Sequence, residues 1–139
     1  MTDTLREWAK GRVETAVGGQ LGSAGGIVPA TVAAENDDLD PRVAVGASLD
    51  DSERANLRQA ETGTVRIIVD GTKTYVETEG TLALTDIQWA IHDELTKQDP
   101  DWRDPSLQQM DEVAWDDDLN RYLGVQQYSV KRSRIHPHY

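Results

Sequence analysis

The chain has 139 residues, no cysteine, and 25 acidic against 14 basic residues, a net charge of −11. That length suits one domain spanning residues 1–139, with enough chain to bury a core unaided. The lack of cysteine excludes disulfides and thiolate metal sites, and the charge disfavours a nucleic-acid-binding surface, because phosphates repel it.

Met1–Arg6 carries Asp3 and lacks the basic-then-apolar layout of a signal peptide. No apolar run nears the length of a membrane span. The chain is therefore expected in an aqueous setting, the cytoplasm or an assembled particle. Asp (16) outnumbers Glu (9), Arg (10) outnumbers Lys (4), and Phe is absent. Short carboxylates in excess keep a surface hydrated when salt screens their repulsion, and salt also strengthens apolar burial. The composition resembles that of proteins from salt-accumulating halophiles.

In chain order, Leu5, Trp8, Ala9, Val13, Ala16 and Val17 recur at helical spacing, with Asp3 or Thr4 able to cap the start and Gly18-Gly19 to stop it. Gly18–Gly26 reads as a small-residue loop. It lacks the Gly-Lys-Ser/Thr ending of a phosphate loop, so no nucleotide role is expected. Ile27–Ala34 is a short strand or extended arm broken by Pro29, and Glu35–Pro41 an acidic turn. Val43, Val45 and Ala47 alternate as a strand does. Leu49–Glu61 fits either a short helix capped by Ser52 or a long loop. Thr64–Val69 is a dense β-branched strand. Asp70-Gly71 suits a tight type I′ turn into a second strand, Thr72–Thr78.

A second helix opens at Thr85-Asp86, carries the stripe Ile87, Ala90, Ile91 and Leu95, and ends at Asp99-Pro100. A loop, Asp101–Pro105, leads to Met110–Trp115, a turn at Asp116–Asn120, and a long strand, Arg121–Arg134. The apolar residues of that strand fall first at odd positions (Leu123, Val125) and then at even ones (Tyr128, Val130). A period-2 face switches only through a bulge or a change of neighbour, so a bulge is expected near Gln126-Gln127. The expected class is α+β: a mostly antiparallel sheet, two main helices packed on one face, and a long C-terminal β-hairpin.

Candidate chemistry is sparse. Asp37-Asp38-Asp40, Asp50-Asp51 and Asp116-Asp117-Asp118 lack the spaced pattern of a calcium loop, and neighbours in extended chain point apart, so they read as solvated turns. His92 has no histidine three or four residues away. His136 and His138 flank Pro137 in the tail and make at most a weak metal pair. No serine sits in a nucleophile-elbow motif. No catalytic, cofactor or metal-binding residues are expected, and no enzyme activity.

Two features point to partners. Lys131, Arg132 and Arg134 follow the last acidic residue, so the charge splits into −14 for residues 1–130 and +3 beyond. A cationic end on an anionic body can dock on an acidic neighbour, including another copy of the chain; alternatively, such an end simply discourages aggregation at an edge strand. Of four tryptophans, Trp8 reads as core and Trp89 lies one position off its helix stripe. Trp102, in a polar loop, reads as a partner contact.

The layout of helix Leu5–Val17, loop, strands Arg42–Ser48 and Gly63–Val69, helix Asp86–Lys97, Trp/Pro loop and closing hairpin resembles the tail terminator (head-to-tail joining) proteins of long-tailed viruses. The closing arm, Arg121-Tyr122-Leu123-Gly124-Val125-Gln126-Gln127-Tyr128-Ser129-Val130, just after an acidic turn, carries most of the likeness. The resemblance implies a homo-oligomeric ring, a hexamer, in the virion neck. Such a ring caps the tail tube and joins it to the head connector or stopper, with DNA only passing through and no membrane involved. Together with the composition it implies a virus of a haloarchaeon, the protein residing in the host cytoplasm before assembly. Gly18–Gly26 and the hairpin expected at Asp70-Gly71 depart from the leanest form of that layout. Other readings are a stopper or tube subunit, or a halophilic enzyme or small-molecule binder. A tube subunit should be a β-sandwich, whereas this chain shows two clear helices.

Overall fold

A computed structural model describes residues 2–30, 38–55, 58–80, 82–97 and 102–135. Its elements run α1 (Thr2–Val17), β1 (Gly26–Pro29), β2 (Arg42–Ala55), β3 (Arg58–Gly71), α2 (Lys73–Glu79), α3 (Ala83–Leu95), β4 (Arg103–Met110), β5 (Ala114–Asp116) and β6 (Arg121–Ile135). The sheet order is β1-β2-β3-β6-β4, with β5 also paired to β6. Only β1 and β2 are parallel; the other pairs are antiparallel. The α+β class and the C-terminal hairpin agree with the sequence reading, and a third, short helix is added.

The core lies between one face of the sheet and the helices. On β3, Val65, Ile67 and Val69 are buried while Arg66 between them is exposed, the period of two expected of a half-covered strand. Their cross-strand partners are Ala47, Val45 and Val43 on β2 and Tyr128, Gln126 and Gly124 on β6. Against this face α1 lays Leu5, Ala9, Val13 and Val17, spaced four apart, and α3 lays Leu84, Ile87, Ile91 and Leu95. Each such aliphatic side chain removed from water contributes about 1.5–3 kcal/mol if fully buried, alanine less. Gly124 lets α3 approach: a Cβ there would strike the amide of Gln88, which donates to the carbonyl of Asp111 at 3.1 Å.

Three local expectations are corrected. Thr72–Thr78 is not a strand. Asp70 and Gly71 are still paired in β3, opposite Leu123 and Tyr122, and the chain then enters α2. Thr72 caps that helix, its Oγ1 accepting from the Tyr75 N–H at 3.1 Å. The same threonine donates its backbone N–H to Asp40 Oδ1 at 3.0 Å and its hydroxyl to Asp40 Oδ2. A cap and a long-range carboxylate thus outweigh the β-branched run. Leu49–Glu61 is neither helix nor loop where described: β2 and β3 continue as a long hairpin, irregular only between Leu49 and Asp51.

The bulge expected at Gln126-Gln127 is also absent. β6 pairs with β3 without a break from Tyr122 to Ile135, and the irregularities lie across from it on β4. The face never switches. Gln126, Tyr128, Val130 and Arg132 all face the helices and are buried, so a polar Gln126 hid the period, while Val125 is buried on the opposite face. Elsewhere β1 covers only the start of Ile27–Ala34, and β4 absorbs Arg103–Pro105 from the expected loop. Residues 31–37, which hold the start of the expected acidic turn, and His136 and His138 lie outside the described residues.

Candidate assembly surface

Trp102 and Arg132 are corrected from partner contacts to interior residues. Trp102 is only 1% exposed, with its ring centroid 6.5 Å from that of Trp8 and the Arg132 guanidinium 4.3 Å above it. Arg132 Nη2 donates to Glu61 Oε1 at 3.0 Å. These two residues are direct cross-strand partners on the helix-covered face, so register alone brings the charges together. Among the described residues Glu61 Oε2 and Arg132 Nε have no hydrogen-bond partner, which leaves the pair under-satisfied in a dry setting. Lys131, by contrast, is exposed and sits between Thr62 on β3 and Arg103 on β4. Arg134 continues β6 opposite Gln59.

A second charge cluster sits at the other end of the sheet. Asp70 is buried, accepting from Arg42 Nε at 3.2 Å and Nη2 at 3.0 Å on one oxygen and from Arg121 Nε at 2.7 Å on the other. Arg121 Nη2 also donates to the Leu39 carbonyl at 2.8 Å and lies 3.7 Å from Asp40. Two arginines and two aspartates therefore tie the segment before β2, the end of β3, the start of β6 and the α2 cap into one network. It lies beside a cleft of about 630 Å³ whose outer wall is the β5–β6 turn, with Leu119 54% exposed. Sequence reading missed this cluster because its members are far apart in the chain.

Two tryptophans are exposed, Trp115 at 38% and Trp89 at 51%; Trp89 is the one beside a cleft. With Leu82, Leu107 and Met110 it lines a cleft of about 640 Å³ between α3 and β4, rimmed by Asp111 and Glu112. Its offset from the helix stripe was the available signal: one residue turns about 100° around a helix, away from the core. Its ring meets His92 edge-on at 5.4 Å, and His92 Nδ1 lies 2.9 Å from the Tyr128 hydroxyl. Gln126 donates to that hydroxyl at 2.9 Å and to the Gln88 carbonyl at 3.1 Å. Burial chiefly pushes the Tyr128 hydroxyl up to about 12, Asp93 adding to it and the Gln126 hydrogen bond opposing it. The Glu94 carboxyl is held below its usual value, first by its hydrogen bond from Lys97 at 2.8 Å; burial opposes this and Arg12 at 3.2 Å assists.

Among the described residues no group of three or more His, Asp or Glu side chains could hold a metal ion. Asp116 instead closes its own turn, accepting from the Leu119 N–H at 3.0 Å. Among the described residues no helix is long and apolar enough to cross a membrane. The chemistry on display is ion pairing inside the protein and apolar or backbone edges outside it.

No protein-family model matches the chain, and no curated protein does. Among solved structures, it is similar to a chain of the virion of a native gene transfer agent particle. The TM-score is 0.56 and the identity 9%, over 94% of this chain and 91% of that one. At that identity the likeness is one of fold.

Proposed function

We propose that this chain is a structural protein of a tailed, virus-like particle, and that it forms the ring that ends the tail tube and joins it to the head connector. The observation that carries the reading is the fold shared, nearly end to end, with a virion chain of a gene transfer agent particle. Two long helices on one face of a single sheet favour a neck component over a tube subunit, which the sequence reading expects to be a β-sandwich. The role needs no catalysis, cofactor or metal; it needs edges and loops that fit identical neighbours.

The charge suits the position. A net −11 per copy, repeated around a ring, presents a repulsive wall to DNA, which can then pass without sticking. The same acidic composition fits a particle made in a salt-accumulating, haloarchaeal host.

The test is affinity capture of the tagged chain from cells producing the particle, in the salt of the host cytoplasm, read by mass spectrometry. Co-recovery of the tail-tube and head-connector proteins supports the reading. Recovery with head proteins alone moves the chain to the stopper position. Recovery with metabolic enzymes overturns the structural role.

A further inference from the structure

The cleft between α3 and β4 is where apolar surface gathers on this protein. Among the described residues, three of the five exposed large apolar side chains, Leu82, Trp89 and Leu107, line it, with Met110 and Val113 beside them. Scattered exposed apolar residues are ordinary, but a contiguous patch rimmed by polar residues marks a contact surface. The charge around this patch is of one sign. Asp111 and Glu112 form its rim, and Asp86 and Asp93 stand three and four residues from Trp89 on the same side of α3, all four exposed. None of the residues lining the cleft is a lysine or an arginine. Its occupant therefore has to be apolar and positively charged.

The chain carries one segment of that description, Arg134-Ile135-His136-Pro137-His138-Tyr139, which has no acid and sets three apolar residues among an arginine and two histidines. The segment cannot fill the cleft of its own copy. Leu107 pairs with Tyr128, whereas Ile135 ends β6 opposite Arg58. The seven residues from Tyr128 to Ile135 span about 23 Å of strand, and Tyr139, four residues past Ile135, lies at most about 14 Å from it.

Resting on the ring reading above, we propose that residues 134–139 of one copy dock in the α3–β4 cleft of the next, apolar side chains against Leu82, Trp89 and Leu107 and cations towards the acidic rim. The charge balance favours this occupant: residues 1–130 of a second copy carry −14, so most of its surface is repelled by the rim, as DNA is. Segment and cleft are different surfaces, so the contact is head-to-tail, the geometry that closes into a ring. Concentrated salt weakens the ionic part of such a contact and strengthens the apolar part.

The chain has no cysteine, so engineered thiols report on this contact alone. Full-length Tyr139→Cys and Leu82→Cys proteins are mixed and oxidised, with Lys73→Cys on exposed α2 replacing Leu82→Cys as the control. The first mixture should give a disulfide-linked pair and the control mixture only background. Adding Trp89→Asp to the Leu82→Cys protein should abolish the link. One chain carrying both Tyr139→Cys and Leu82→Cys should give a ladder of covalent species longer than two copies. Far-UV circular dichroism checks each fold, and a misfolded Trp89→Asp protein is replaced by Asp111→Asn with Glu112→Gln, which should reduce the link. Linkage no better than the control, linkage that survives these cleft variants, or a ladder that stops at two copies overturns the docking. So does a photoreactive group at position 82, in intact particles, that captures a different particle protein in place of residues 134–139. These outcomes leave the ring reading standing where native mass spectrometry of the wild type shows the ring. A wild type that stays monomeric at every salt and protein concentration overturns the ring itself, and the docking with it.

Discussion

Single residues in this protein are organised around buried charge, and that is where substitution should cost most. Asp70 is shared by Arg42 and Arg121, with all three buried. Asp70→Asn leaves two guanidinium groups facing a neutral amide, and breaking a buried pair from one side costs about 3–5 kcal/mol. Urea unfolding should show a loss in that range. A loss below about 1 kcal/mol would mean that water from the adjoining cleft solvates the arginines well. Tyr128 makes a separate, pH-dependent prediction. Its hydroxyl ordinarily titrates near 10 and is pushed up to about 12 in the fold, chiefly by burial. The unfolded chain therefore loses this proton before the folded one does. The contribution is complete below pH 10 and disappears as pH rises towards 12, an alkaline penalty of about 3 kcal/mol. Tyr128→Phe should flatten that limb of the stability curve relative to wild type. An unchanged difference between pH 9 and 12 would show that the hydroxyl is already open to water.

The elements show which sequence signals were decisive. Helix α1 was legible because Leu5, Ala9, Val13 and Val17 repeat every four residues and all four are buried. The strand around Thr64–Val69 was legible for the same reason at period two. The misreadings came where long-range polar contacts override local preference. Thr72-Lys73-Thr74-Tyr75-Val76 reads as strand, yet Asp40, 32 residues away, holds Thr72 at the start of a helix. Thr72→Ala removes both that contact and the cap, and should cost about 1–2 kcal/mol, concentrated in α2. Hydrogen exchange should show faster exchange at the Tyr75 and Val76 amides. Protection equal to wild type would place the helix's stability in the packing of Val76 instead. Gln126 and Arg132 misled in a similar way, since polar side chains on a core face break the apolar period that reveals it. Lys131 is exposed, as a lysine's charge favours. The burial of Trp102 was not legible, because its partner Arg132 and the ring of Trp8 come from distant parts of the chain.

For the molecule as a whole, the dominant feature is the acidic excess, a net charge of −11. If the composition is an adaptation to concentrated salt, thermal unfolding should move to higher temperature as KCl rises into the molar range, because screening relieves self-repulsion and salt strengthens apolar burial. A midpoint that falls, or stays flat beyond about 0.2 M where the Debye length is already under a nanometre, would assign the charge to repelling DNA alone. The central claim, a ring at the junction of head and tail, is tested most directly by gold-labelling a tagged copy in intact particles and imaging them by electron microscopy. The account predicts label at one place only, where the tail meets the head. Label along the tail, at its far tip, or absent from particles altogether would contradict it.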